Sequence, residues 1–222
     1  MGMYHLFNIQ TIMNRNFKIR LERESDYRTV ENLTREAFWN VYQPGCTEHY
    51  VLHCYRSNPD FIPELDFVME VEGSIIGHVM FSKAEIISDD GRSIPILTFG
   101  PISISPACKR KGYGIALLRH ALSKARELGY GAVFMGGNID FYRHAGFVLA
   151  SSLNIHYHAE PRESEVPYFL CQQLKDGYLS GIEGTYHTPK GYYAAFEDPE
   201  GFEKYESGFP YKEKLVLPGQ LQ

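Results

Sequence analysis

A basic excess is missing from this chain. Its 22 Lys and Arg are outnumbered by 27 Asp and Glu, for a formal net charge of −5. Nucleic-acid binders usually show the opposite balance, so that class is set aside. Long apolar runs are missing too. No stretch approaches the roughly eighteen apolar residues of a membrane span. The opening Met1-Gly2-Met3-Tyr4-His5-Leu6 has no basic segment followed by an apolar one, so it does not read as a signal peptide. Cysteine is scarce: Cys46, Cys54, Cys108 and Cys171 form no C-x-x-C pair and no zinc spacing. A reducing, cytoplasmic setting without a bound metal is expected. Two phosphate motifs are also absent. There is no G-x-x-x-x-G-K-[ST], and Gly112-Tyr113-Gly114 is followed by Ile115, Ala116 and Leu117, which breaks G-x-G-x-x-G.

What is present supports a folded chain of 222 residues, enough for one large domain. Apolar residues reach 44%, and 16 tyrosines help raise the aromatic share to 14%. Residues 1–16 read as an N-terminal extension. Alternation from Phe17 to Leu21 predicts a strand. Ser25-Asp26 is expected to cap a helix running to about Trp39, and Thr47 a second one through Tyr55. Leu65–Val71 and Ser74–Ile87 read as a hairpin closed by Glu72-Gly73. Ile94–Ser105 is the next strand and Gly112–Leu128 the strongest helix, ended by Gly129. Ala132–Met135 reads as a buried strand and Asp140–Ala145 as a short helix. Phe147–His158 and Val166–Leu174 are expected as two further strands. Residues 177–222 are rich in Gly, Pro, Tyr and acids. They read as an irregular elaboration packed on the domain of residues 17–176, with a short helix near Ala194–Phe196 or Gly201–Tyr205.

The most informative run is Lys109-Arg110-Lys111-Gly112-Tyr113-Gly114. It follows a strand and opens a helix. Glycines allow close backbone approach, and the first-turn amides and helix dipole favour an anion. A phosphate or pyrophosphate is the natural ligand. About thirty residues on comes Phe141-Tyr142-Arg143-His144-Ala145-Gly146-Phe147.

Taken in order, the two runs resemble the GNAT acyl-CoA N-acyltransferase superfamily. That family carries [Q/R]-x-x-G-x-[G/A] on a strand–turn–helix, then F-Y-x-x-x-G-F. Gly112 and Gly114 match the first motif, with Lys109 in the Gln/Arg position keeping charge but not a planar group. Phe141, Tyr142, Gly146 and Phe147 match the second. The resemblance implies an α/β (α+β) fold: a mixed, strongly twisted central sheet flanked by helices, here with an irregular C-terminal extension. It implies acetyl-CoA as co-substrate. Its pyrophosphate would lie on the backbone of Lys109, Arg110, Lys111, Gly112, Tyr113, Gly114 and Ile115. Its pantetheine arm would pair with the edge formed by Ile102, Ser103 and Ile104, where an N–H would polarise the thioester. Asn138 could bond that arm or simply cap the short helix. Tyr142 occupies the position that serves as general acid in many relatives.

The expected reaction is direct acetyl transfer to a primary amine within a ternary complex. A small-molecule acceptor is favoured, and a peptide or protein amine is left open, as is a homodimer. No nucleic acid or membrane partner is expected. The base is the gap in this reading, because Leu97–Ser105 contains no acid. Glu70 and His78 rank first, ahead of Glu72 and Glu85. Each has a plainer alternative: a solvated strand face for Glu70, a satisfied core histidine for His78. Cys108 beside the turn looks like a nucleophile but reads better as a semi-buried thiol. His156 and His158 could pair on a metal, although a shared strand face explains them as well. The tail aromatics Tyr186, Tyr192, Tyr193 and Tyr205, with Glu197 and Asp198, could wall an acceptor pocket or merely pack. The rival function is a non-catalytic acyl-CoA-binding or sensing module.

Overall fold

The computed structural model describes residues 16–220, so the expected extension over residues 1–16 lies almost wholly outside it. Among the described residues nine strands form one mixed sheet. They are β1 (Phe17–Leu21), β2 (Phe67–Val71), β3 (Ser74–Ser88), β4 (Ser93–Ile104), β5 (Ala132–Gly136), β6 (Val148–Leu149), β7 (Ile155–Tyr157), β8 (Phe169–Gln173) and β9 (Gly184–Tyr186). The main order is β1-β2-β3-β4-β5-β8-β6, with β9 bridging β3 and β7. Only β4·β5 and β7·β9 run parallel. The hairpin turn is tight because Glu72 and Gly73 both take positive φ, 51° and 78°.

Helices cover both faces. Helix α3 (Tyr113–Glu127) buries Leu117, Leu118, Ala121, Leu122 and Ala125 against Val79, Phe81, Leu97, Phe99 and Val133. Full burial of each of its leucines contributes about 1.5–3 kcal/mol. On the opposite face, α1 (Tyr27–Phe38) and α2 (Glu48–Tyr55) set Val30, Val51, Leu52 and Tyr55 on Val68 and Met80. The expected caps are used differently. Asp26 takes the Arg23 N–H and the Arg20 guanidinium, and the Thr47 N–H goes to the Glu48 carboxylate.

Two expectations need correction. Residues 147–158 are not one strand. After β6, Ala150–Leu153 make a 3-10 turn, Asn154 takes φ 57°, and β7 resumes against β9 instead of β8. The Ser152 hydroxyl bonds the Leu149 carbonyl, the kind of local side-chain bond that competes with a ladder. The C-terminal segment is also more regular than expected. It supplies β9, then a 3-10 turn at Lys190–Tyr193, α5 (Ala194–Glu197) and α6 (Pro199–Glu206), so both proposed short helices form.

Candidate active site

The sheet parts where β4 leaves β5. Their ladder holds only Leu97↔Val133 and Thr98↔Phe134, although β4 continues to Ile104 and β5 to Gly136. Beyond Thr98, β4 has β3 on one side and a gap on the other. The Ser105 N–H turns to the Ile76 carbonyl of the β3 side. By the alternation of an antiparallel ladder, Ile104 and Ile102 then present their N–H and C=O to the gap. These two are the expected edge for a peptide-like arm. Ser103 is not: its backbone faces β3 and its buried hydroxyl sits 2.8 Å from that of Thr34.

The turn after β4 has the backbone shape an anion would need. Arg110 at φ 59° and Gly112 at φ 84° bend the chain so that α3 starts on Gly112. The free amides of the first turn of α3 then point back along the helix axis toward the turn. The helical ladder begins at Ala116 N–H to Gly112 C=O, 3.2 Å, so the Gly114 and Ile115 amides precede it. Gly114 packs close: a Cβ there would lie 3.4 Å from Phe141 Cζ and 3.5 Å from Ile104 Cγ1. The basic side chains divide their work. Lys109 Nζ holds the Ala37 carbonyl at 3.0 Å, tying the end of α1 to the turn, and Lys111 Nζ holds Ala107 O at 2.8 Å. Lys109 therefore works on α1 through its side chain, while its N–H turns to the Pro106 carbonyl at 3.4 Å. Tyr113 packs edge-on against Phe17, 6.2 Å between centroids.

Tyr142 closes the helix α4 (Ile139–Tyr142) and lies against Phe99 of β4, with ring centroids 5.9 Å apart. It is 8% exposed, and burial raises its phenol well above the ordinary tyrosine range. Its hydroxyl makes no hydrogen bond to another described residue. A neutral phenol thus packs on Phe99, one residue past the last β4–β5 pair. Asn138 caps α4, its side chain accepting the Asp140 N–H at 2.8 Å.

Neither expected base faces the gap. Glu70 is on β2, two strand spacings or about 10 Å from β4. Arg20 holds its Oε1 at 2.5 and 2.8 Å. His78 is fully buried on β3, and its Nε2 turns to Asp66 at 2.6 Å, away from β4. Burial holds its imidazole down at about 4, so it stays neutral at neutral pH. It belongs to a closed group. Glu22, Asp66 and His78 bring ligand-type atoms within 4.8 Å of one another, and burial pushes Glu22 up to about 7 and Asp66 up to about 6. Arg56 grips both Glu22 oxygens, at 2.8 and 3.0 Å, so a cation entering there would meet a guanidinium already in place.

The loop from α1 to α2 supplies what sequence reasoning missed. Tyr42 is 48% exposed and lies within electrostatic reach of Tyr142, and Glu48 lies within the same reach of Tyr42. Glu48 takes the Thr47 N–H on Oε2 at 2.9 Å, and its own backbone N–H also bonds the carboxylate. Burial raises its carboxyl above the usual range. Its signal was visible only as the first-turn acid after Thr47. Cys108 lies in the 3-10 turn before the cradle, with no histidine or acid bonded to it among the described residues. His158 stacks on His187, 4.9 Å between centroids. Of the tail aromatics, Tyr186 and Tyr192 reach the back of β4, whereas Tyr205 packs on His49, Tyr50 and His53 of α2.

Comparison with known proteins places this geometry. YhbS of Escherichia coli, an uncharacterized N-acetyltransferase, is 28% identical over 171 residues, covering 76% of this chain and 95% of its own. The crystal structure of E. coli YhbS in complex with CoA superposes with a TM-score of 0.69 at 23% identity, over 80% of this chain and 92% of that one. A GNAT family acetyltransferase from Brucella melitensis in complex with acetyl-CoA gives a TM-score of 0.63 at 23% identity, over 81% and 99%. Among the described residues no helix is long and apolar enough to cross a membrane. The family model for the acetyltransferase (GNAT) family matches residues 30–147, from α1 through the second motif, and the chain belongs to that family.

Proposed function

We propose that the protein binds acetyl-CoA and transfers its acetyl group to a primary amine by direct attack. The observation that carries this reading is the gap between β4 and β5, with an anion-holding turn at one end and the free Tyr142 hydroxyl at the other. The residues present fit the co-substrate. Gly112, Gly114 and Ile115 would receive the pyrophosphate, and the Ile102 and Ile104 backbones would pair with the pantetheine arm. Such an edge amide can also polarise a thioester carbonyl. Tyr142 would donate a proton to the leaving sulfur. Its raised pKa keeps it neutral, and against a thiol near ~8.5 it is a weak acid, so its effect should be moderate. The amine must lose its proton first. Glu48 is the half-buried carboxylate on the α1–α2 side, within electrostatic reach of Tyr42, and we assign it the base, directly or through one water.

Direct attack is favoured over a covalent enzyme intermediate. Cys46 and Cys171 are buried, with thiols pushed up by burial, and Cys108 has no activating partner. The acceptor is proposed to be a small molecule. The rival reading, an acyl-CoA sensor, draws on the commitment of Glu70 and His78 elsewhere. A thiol-release assay with acetyl-CoA across amines, polyamines, amino acids and peptides separates the two. Turnover with any acceptor removes the sensor. Coenzyme A binding without turnover on the whole panel removes the enzyme.

A further inference from the structure

The free stretch of β4 should be poorly held. Past Thr98 it has lost β5, its register on β3 slips between Val79 and Phe81, and Gly100 takes φ 146° at that slip. A bulged strand with one open side lacks half its ladder bonds. Yet this stretch must aim the Ile102 amide into the gap.

The C-terminal segment covers the stretch from behind. Phe81 and Phe99 point to the α3 face, where Tyr142 lies. On the α2 face the ring of Tyr192 lies against Gly100: a Cβ on Gly100 would sit 3.7 Å from Tyr192 Cε1. The Tyr192 hydroxyl is 3.4 Å from that of Ser82, the β3 partner of Thr98, and its ring packs on Tyr55 at 5.0 Å between centroids. Gly191 lets this ring in, since a Cβ there would fall 2.7 Å from Tyr55 Cζ. One step along, Tyr186 sets its hydroxyl 3.2 Å from Thr98 Oγ1. Two tyrosines from one segment thus back the last residue of β4 that pairs with β5 and the bulge beyond it. Both lie outside the 30–147 family match.

We propose that Tyr192 is a positioning residue: it stands in for the missing strand neighbour, fixes Gly100, and so aligns the thioester-binding end of β4 without contributing to coenzyme A affinity. The role in turnover rests on the acetyl-transfer reading; the role in ordering β4 does not. The cradle lies at the far end of the stretch and is held separately, by Lys109 on Ala37. Small misalignments of a reacting group are costly, with about 1 Å worth up to ~10²-fold.

The test compares Tyr192→Ala, Tyr192→Phe and Phe202→Ala in the full chain. Phe202 belongs to the same segment but packs on Tyr50 and His49. Tyr192→Ala should lower kcat by at least ~10-fold with the coenzyme A Kd within about twofold of wild type. Tyr192→Phe keeps the ring and should stay within about threefold of wild-type kcat, since only a 3.4 Å hydrogen bond is lost. Phe202→Ala should lower Tm and leave kcat unchanged. If Tyr192→Ala does not fold, Tyr192→Leu, which keeps bulk but not a flat ring, should show the same split. Near-wild-type kcat in the folded Ala or Leu variant overturns the proposal, as does an equal rate loss in Phe202→Ala. If wild type acetylates no amine, the transfer reading fails alone, and hydrogen exchange with coenzyme A bound decides this one. The Gly100 and Ile102 amides should then exchange at least ~10-fold faster in Tyr192→Ala and not in Phe202→Ala. Equal exchange overturns it.

Discussion

Gly112→Val is the sharpest probe of the anion-holding turn. Gly112 takes φ 84°, and an L-residue there costs about 1–2 kcal/mol, more when β-branched. Arg110 already occupies the left-handed region at φ 59°, so the turn has little slack to absorb a second such residue. It should relax by turning the 112–115 amides off their common side. Each charge-assisted bond to a phosphate is worth about 1.5–3 kcal/mol. Losing even one predicts coenzyme A binding at least ~10-fold weaker, about 1.4 kcal/mol. Gly129→Val is the matched control. It stands at φ 88° just past the other end of α3, and a Cβ there meets nothing within 4 Å. It should lose similar stability and no affinity. Calorimetry with coenzyme A, alongside thermal melts of both variants, reads the two effects apart. A folded Gly112→Val protein with wild-type affinity would refute the cradle.

Three further outcomes are expected. Tyr142→Phe should lower kcat by about 10- to 100-fold and leave coenzyme A affinity unchanged, the low end for loss of one acid. An unchanged rate, with chemistry shown to be limiting, would make Tyr142 a packing residue. Glu48→Gln should cut turnover by at least ~10-fold at neutral pH and abolish the acidic limb of the kcat/KM profile. A retained limb would exclude Glu48 as base. Glu22→Gln should change stability in a pH-dependent way. The Glu22 carboxyl is raised to about 7, so its burial penalty is absent at pH 4.5 and below, grows as pH climbs to 7, and is full above that. The variant should therefore gain on wild type by about 1–3 kcal/mol between pH 5 and pH 8. Parallel melting curves over that range would show that Glu22 does not carry the titration.

The parts of the site legible in the sequence are those made by neighbouring residues. The strand, the turn at Arg110–Gly112 and the start of α3 lie within about twenty residues, and glycine at a left-handed position is a local demand. Tyr142 was singled out by the second motif, whose residues are also close in sequence. Ile102, Ser103 and Ile104 came as a group from the family resemblance, and Ser103 is separated from the other two only by which side β3 takes. His78 and Glu70 were misjudged for a related reason. Both lie on the expected hairpin, yet Asp66 and Arg20, which engage them, come from elements whose partners had to be found in three dimensions. Residues 147–158 misled because apolar residues stand on both sides of the break, at Phe147–Ala150 and from Leu153 on, while the Ser151-Ser152 pair between them favours a turn.

The C-terminal segment was the least legible, because its meaning lies in contacts across most of the chain. Arg35 sits on α1 among polar residues and looks like an exposed helix side chain, yet it is 3% exposed. The reason is Glu206, 171 residues later, whose carboxylate it holds at 2.5 and 3.0 Å. Glu206 also meets the fully buried His49 at 2.7 Å, an imidazole that burial holds down at about 4. Neutral His49 leaves Arg35 and Glu206 as the balanced charge pair, which is what makes their burial tolerable. Farther on, Glu213 O accepts from Trp39 Nε1 at 2.9 Å and Asn40 Nδ2 at 3.0 Å, at the head of the loop that carries Tyr42. One segment therefore holds α1, α2 and their loop from outside, and through Tyr186 and Tyr192 it holds β4 from behind. Both supports lie on the α2 face of the sheet, where Tyr192 packs on Tyr55 of α2. In the transfer reading, coenzyme A needs only the turn and the strand edge, whereas placing an amine against the thioester needs the α1–α2 loop fixed relative to β4. α1 touches β4 directly through Thr34 and Ser103, and the C-terminal segment adds a hold shared among Glu206, Glu213, Tyr186 and Tyr192, so losing one packing ring such as Phe202 leaves the loop in place.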